Sequence, residues 1–131
     1  MNENEIESPL VVYDKRWHEA LVYLSVEDAE AHLGPGRARN NEYQIYDGKA
    51  RTLKINCITQ NESSLFGLRR TEIERVILEK ENEISRVDEL RNILINYIVR
   101  HGTPIAALSL FSLDELIRSA AKLPKQWRAR V

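Results

Sequence analysis

The chain has 131 residues, 43% of them hydrophobic and 30% charged, a balance that supports one globular domain with a real core and argues against wholesale disorder. A formal net charge of −1 argues against a protein whose main work is coating polyanions, because non-specific nucleic-acid binding needs Lys and Arg to neutralise several phosphates. There is no apolar run of bilayer length, and the polar start Met1-Asn-Glu-Asn-Glu5 lacks the regions of a signal peptide, so a cytoplasmic location without membrane contact is expected.

Leu10-Val-Val-Tyr13 and Ala20-Leu-Val-Tyr-Leu24 are short runs rich in strand formers, separated by a polar stretch, and they are expected to pair as a hairpin. Ser25 then stands three residues before Asp28, an acidic variant of the capping box. Val26, Ala29 and Leu33 recur at helical spacing behind it, which predicts a short helix with an acidic first turn. Acids there interact favourably with the exposed amides of the helix start, a structural reason for the cluster that requires no ligand. Gly34-Pro35-Gly36 is expected to end the helix in a turn. With Arg37 it superficially resembles a phosphate loop, but it follows a helix and lacks the lysine and hydroxyl such a loop uses.

Glu42 to Tyr46 and Ala50 to Ile58 flank Asp47-Gly48, a dipeptide that favours the positive backbone angles of a tight hairpin turn. Leu53, Ile55 and Cys57 share one face of the second strand, and Cys57 is expected to be an inert, core-facing thiol. As the only cysteine it can form no internal disulfide and rules out a multi-cysteine zinc site. Residues 59–70 read as a polar connector. Thr71 and Glu74 match a further capping box, and Ile73, Ile77, Ile84, Val87, Leu94 and Ile98 trace a stripe that predicts a long helix to Arg100, as one piece or two. That helix offers a surface for a homodimer through residues 71–100. Ser112 and Glu115 form the last box, opening a helix with Leu113, Leu116, Ile117, Ala120 and Leu123 on one side and Pro124 as its stop.

Chemistry is sparse. His18, His32 and His101 are far apart and none belongs to a ligand pair such as H-E-x-x-H, so neither a metal site nor a cofactor is expected. The serines include no G-x-S-x-G elbow, and the paired carboxylates Glu72/Glu74 and Asp88/Glu89 read as solvated helix surface, so no catalytic residue is assigned. The tail residues Lys122, Lys125, Trp127, Arg128 and Arg130 form a basic cluster interleaved with an aromatic. They support an alternative reading as a nucleic-acid-binding or regulatory protein, against the simpler one of a solvated terminus.

The run Tyr23-Leu-Ser-Val-Glu-Asp-Ala-Glu-Ala-His-Leu33, followed by Asn40-Asn-Glu-Tyr-Gln-Ile-Tyr-Asp-Gly48, resembles small bacterial proteins that are similar to immunity proteins of polymorphic toxin systems. The resemblance covers residues 10–58, and the part from Thr71 onward has no counterpart in it. It implies a non-enzymatic protein that blocks a cognate toxin by direct one-to-one binding. The patch it implies consists of the acids Glu27, Asp28, Glu30 and Glu42 with Tyr43 and Tyr46 as anchors, since acidic surfaces speed encounter with basic proteins and aromatics carry binding energy. Cross-strand packing is the other reading of the two tyrosines. The expected fold class is α+β in one domain over 1–131. A four-stranded mainly antiparallel sheet with one short helix, the β-β-α-β-β unit of residues 10–58, is followed by a helical region over 71–123.

Overall fold

The structure, a computed structural model, describes residues 6–63 and 70–123, with side chains for all of these except 60–63, 70–72 and 82. Five strands form a fully antiparallel sheet in the order β2-β1-β3-β4-β5. They are β1 (Leu10–Asp14), β2 (Glu19–Tyr23), β3 (Tyr43–Tyr46), β4 (Arg51–Ser63) and β5 (Arg70–Ser85). Helices α1 (Val26–His32) and α2 (Pro35–Arg39) lie between β2 and β3 in the chain, and α3 (Val87–Arg100), α4 (Ile105–Leu108) and α5 (Leu113–Ala121) follow β5. The α+β class is as expected, but the sheet has five strands where four were expected.

Period-two alternation in β1 explains the layering. Leu10 and Val12 point to one face with Leu21, Tyr23, Tyr43, Ile45, Leu53, Val76 and Leu78, where Ala29 and Leu33 cover them. Val11 points to the other face with Ala20 and Tyr46, under Leu90, Leu94, Tyr97 and Ile98 of α3 and Leu116, Ile117 and Ala120 of α5. Being covered on both faces, β1 reads in the sequence as an unbroken apolar run.

Residues 71–85, expected to be helical, are strand. The helical stripe pointed to Ile73 and Ile84, yet these are 37% and 62% exposed, while the buried residues are Val76 and Leu78, two apart as a strand requires. Thr71 and Glu74 therefore lie within β5 and not at a helix start, and the helical surface proposed for self-association over 71–100 does not exist in that form. The physical reason lies in β4. It continues through the supposed connector to Ser63, and so long a strand needs a partner for its backbone groups, which β5 supplies from Ser63↔Arg70 to Arg51↔Ser85 with one irregularity near Arg51 and Leu53. The helix that remains, α3, begins at Val87.

Two turns also differ from expectation. Gly34 ends nothing by itself: α1 closes at Leu33, and Pro35, whose fixed φ suits a first helical position, opens α2. Between β3 and β4 the turn is wider than a two-residue hairpin, closed by Ala50 N–H donating to Asp47 O at 2.9 Å, and the positive φ falls on Ala50 at 61°. Glycine is required at position 48 for a different reason: a Cβ there would stand 2.6 Å from the Ser8 carbonyl oxygen.

The expected caps are present at α1 and α5. Ser25 Oγ accepts from Asp28 N–H at 3.1 Å. Ser112 Oγ accepts from Glu115 N–H while Ser112 N–H donates to the Glu115 carboxylate, both at 3.2 Å. Replacing Ser112 by Ala is expected to lower stability by about 1 kcal/mol, seen as a reduced thermal midpoint with unchanged far-UV spectrum.

Candidate functional site

Helix α1 lies against β5, and the contact is built from its acidic side. Glu30 Oε2 accepts the Leu78 backbone N–H at 2.8 Å, so a carboxylate closes part of the outer edge of β5 that would otherwise present an unpaired donor. Between α1, the start of α2 and β5 a half-open cleft of about 400 Å³ remains. Leu33, Pro35 and Val76 line it with Ala31 and Arg75, and Glu27, Glu30 and Glu74 make it acidic. Glu74 also pairs with Arg39, and both are substantially exposed. Glu27 and Asp28 face solvent on the first turn of α1. His32, one turn later, places Nδ1 2.8 Å from the Asp28 carbonyl oxygen and stacks on Tyr23 with ring centroids 5.5 Å apart.

The remaining residues of the expected patch are committed to the fold. Arg37 donates from Nε to Glu42 at 2.9 Å and from Nη2 to Asp14 at 2.6 Å, and lies 4.9 Å over the Tyr43 ring. Burial opposes the Arg37 charge, but the bonds to Asp14 and Glu42 outweigh it and hold the guanidinium more firmly protonated than usual. Tyr43 is buried, and its hydroxyl accepts from Gly34 N–H at 3.4 Å. Tyr46 is buried on the opposite face of the sheet and donates to Glu89 at 2.6 Å. Burial, and then the carboxylate, push its phenol well above the ordinary range. Two residues three apart on a strand must face opposite ways, so Tyr43 and Tyr46 do not join one another or the α1 acids in a single exposed patch. Their placement matches the packing reading of the two side chains.

The structure thus gathers Glu27 with Glu30 at the cleft, leaves Asp28 outside its lining beside His32, and adds Glu74, Arg75 and Val76, which sequence reasoning missed because it placed them on a helix. The signal that could have found them is the length of β4. The three histidines stay apart. His18 pairs with the Tyr13 hydroxyl at 3.0 Å, and His101 closes α3 with Nδ1 on the Tyr97 carbonyl at 2.9 Å. Among the described residues no group of three or more His, Cys, Asp or Glu is arranged to hold a metal ion, and no helix is long and apolar enough to cross a membrane. Cys57 is half-buried against the α1 side of the core, its Sγ 3.7 Å from the Pro35 carbonyl oxygen. Of the basic tail only Lys122 is described, and it is exposed. Lys125, Trp127, Arg128 and Arg130 lie outside the described residues.

Comparison of the chain with protein-family models, with curated proteins and with solved structures gives no match.

Proposed function

We propose that this chain is a non-enzymatic protein-binding module of immunity type, which occludes a basic protein partner, a toxin in this reading, by docking it on the face formed by α1 and β5. The observation that supports this most directly is the acidic cleft itself. Glu27, Glu30 and Glu74 surround a partly apolar floor of Leu33, Pro35 and Val76, a combination that suits a partner's Lys or Arg whose aliphatic stem packs below its charged head. The exposed acids on the first turn of α1, Glu27 at the cleft and Asp28 outside it, would raise the encounter rate with a basic surface more than they would raise affinity.

The test is capture of the partner by tagged protein from host lysate, compared with a Glu27→Lys/Asp28→Lys/Glu74→Lys variant whose fold is checked by circular dichroism. The expected result is one basic protein recovered at one-to-one stoichiometry, lost in the variant, and associating more slowly as salt rises through the range where the screening length contracts below about 10 Å. A partner that binds the charge-reversed variant equally well would place the docking face elsewhere, and recovery of nucleic acid alone would favour the rival reading.

A further inference from the structure

We propose that β4 pairs antiparallel with β4 of a second copy of this chain, about a two-fold axis at Ile58, joining the two sheets into one. Strands β1 to β3 have four or five residues, whereas β4 has 13 and β5 has 16. Strand β3 accompanies β4 only at Leu53 and Thr52. From Lys54 onward no strand lies beside β4 on that side among the described residues, and the sheet narrows to a two-stranded ribbon, an arrangement that is marginal in water without further support.

The direction of the free backbone groups follows from one hydrogen bond. Leu78 gives its N–H to Glu30 and so points it away from β4. Leu78 is the register partner of Ile55, and in an antiparallel pair both members turn their polar groups the same way, inward or outward, in alternation. Ile55, Cys57, Thr59 and Asn61 therefore present N–H and C=O at the open edge of β4, and no backbone group outside the sheet bonds them among the described residues.

The two edges of the ribbon are treated differently. The outer edge of β5 is covered by α1 and Glu30 and carries Glu74, Glu79, Glu81 and Glu83. The open stretch of β4, Ile55-Asn-Cys-Ile-Thr-Gln-Asn61, has no charge, no Pro and no Gly. Within these seven residues no charge or Pro guards against strand addition, and the charges Lys54 and Glu62 stand only at the two ends.

The sequence also selects the occupant and the register. With Ile58 opposite Ile58, Cys57 meets Thr59 and Ile55 meets Asn61, so outward groups meet outward groups, and Lys54 stands opposite Glu62 of the second copy, twice by symmetry. Opposite charges facing one another across strands are favourable. Centring the axis on Cys57 instead would set Lys54 against Gln60 and bring Asn61 and Glu62 against Leu53 and Thr52, both already paired by β3, where the Ile58 axis brings only Ser63 against Leu53. Ile58 is 37% exposed, and so is Ile73, which stands diagonal to it across the β4–β5 ladder. In the two-fold arrangement these four isoleucines form one apolar patch.

Sedimentation equilibrium from micromolar to millimolar protein is expected to show a dimer. Ile58→Lys, which puts two cations at the axis, should weaken it on the order of a hundredfold, and Lys54→Glu on the order of tenfold, while Lys54→Glu/Glu62→Lys restores it. In a Cys57→Ser background, Ile58→Cys should give an intermolecular disulfide on mild oxidation, because a pair at the axis brings its Cα atoms to about 4.5 Å. A wild-type monomer at millimolar concentration would overturn the proposal. So would a dimer indifferent to the charge swap that gives no cross-link from the Ile58→Cys variant. Neither result depends on the toxin-binding reading, which concerns the other edge of the ribbon.

Discussion

Replacing Asp47 by Ala is expected to cost about 3–5 kcal/mol, a large fraction of the roughly 5–15 kcal/mol that stabilises a domain of this kind. The side chain is fully buried and its two oxygens accept five hydrogen bonds. Oδ1 takes the Lys49 and Arg51 N–H groups, both at 3.0 Å. Oδ2 takes Glu7 N–H at 3.3 Å and Arg51 Nε and Nη2 at 2.9 and 2.6 Å. Alanine would strip the buried Arg51 cation of the carboxylate that takes two of its donors, leaving it the exposed Glu83 carboxylate 3.2 Å from Nη1, and would loosen the segment at Glu7, which keeps the bond from Gly48 N–H to the Glu7 carbonyl oxygen. The loss should appear as a lowered urea midpoint with an unchanged slope.

The same carboxylate sets a pH dependence. Burial works against its ionisation, but the hydrogen bonds from the Arg51 guanidinium and from the backbone of Arg51, Glu7 and Lys49 win and hold it below the ordinary value of 3.8. A group depressed in the folded state binds its proton first in the unfolded chain, so its stabilisation is complete above the unfolded value and is lost as pH falls through the folded one. The urea midpoint should therefore drop below about pH 4, and Asp47→Asn should flatten that acid limb while lowering the plateau at neutral pH.

Much of the first half, and the last helix, was legible in the sequence because the signals are local. Ser25 and Ser112 cap where hydroxyls stand before helical spacing, and the β1–β2 hairpin follows from two apolar runs separated by polar residues. What failed was non-local. The run from Arg70 to Ser85 is rich in Glu, a residue of good helix propensity, and its isoleucines happen to recur at helical intervals. Only pairing with β4 makes it a strand, and that pairing spans a segment with no strong turn signature of the Asn-Gly or Asp-Gly kind. The candidate site inherited this error, since three of its eight lining residues come from β5. Tyr43 and Tyr46 show the other limit. Exposure cannot be read from residue type, but their spacing already placed them on opposite faces of any strand that held both.

The ion pair between α2 and β1 had no sequence signal at all, because Asp14 and Arg37 are 23 residues apart and come together only when the helical segment folds over the sheet. Asp14 is 2% exposed at its side chain and already caps the β1–β2 turn, accepting Arg16 and Trp17 N–H at 3.0 and 3.2 Å. Arg37 adds a charged donor to it and, through Glu42 and the Tyr43 ring, fastens α2 to the start of β3. Arg37→Ala is expected to destabilise at the lower end of about 3–5 kcal/mol, since Arg37 itself keeps contact with water while the carboxylate it leaves behind does not. Adding Asp14→Asn should recover part of that loss, with a coupling of about 0.5–3 kcal/mol in the double-mutant cycle. Because α2 carries Pro35 to the floor of the acidic cleft and Arg39 to Glu74, Arg37→Ala should also speed exchange of the hydrogen-bonded amides of Ala38, Asn40, Asn41 and Glu42 and weaken partner capture, although Arg37 does not line the cleft. If the stability loss occurs and the amides of α2 remain as protected as before, the pair stabilises the turn at Asp14 alone and α2 is held by its apolar contacts.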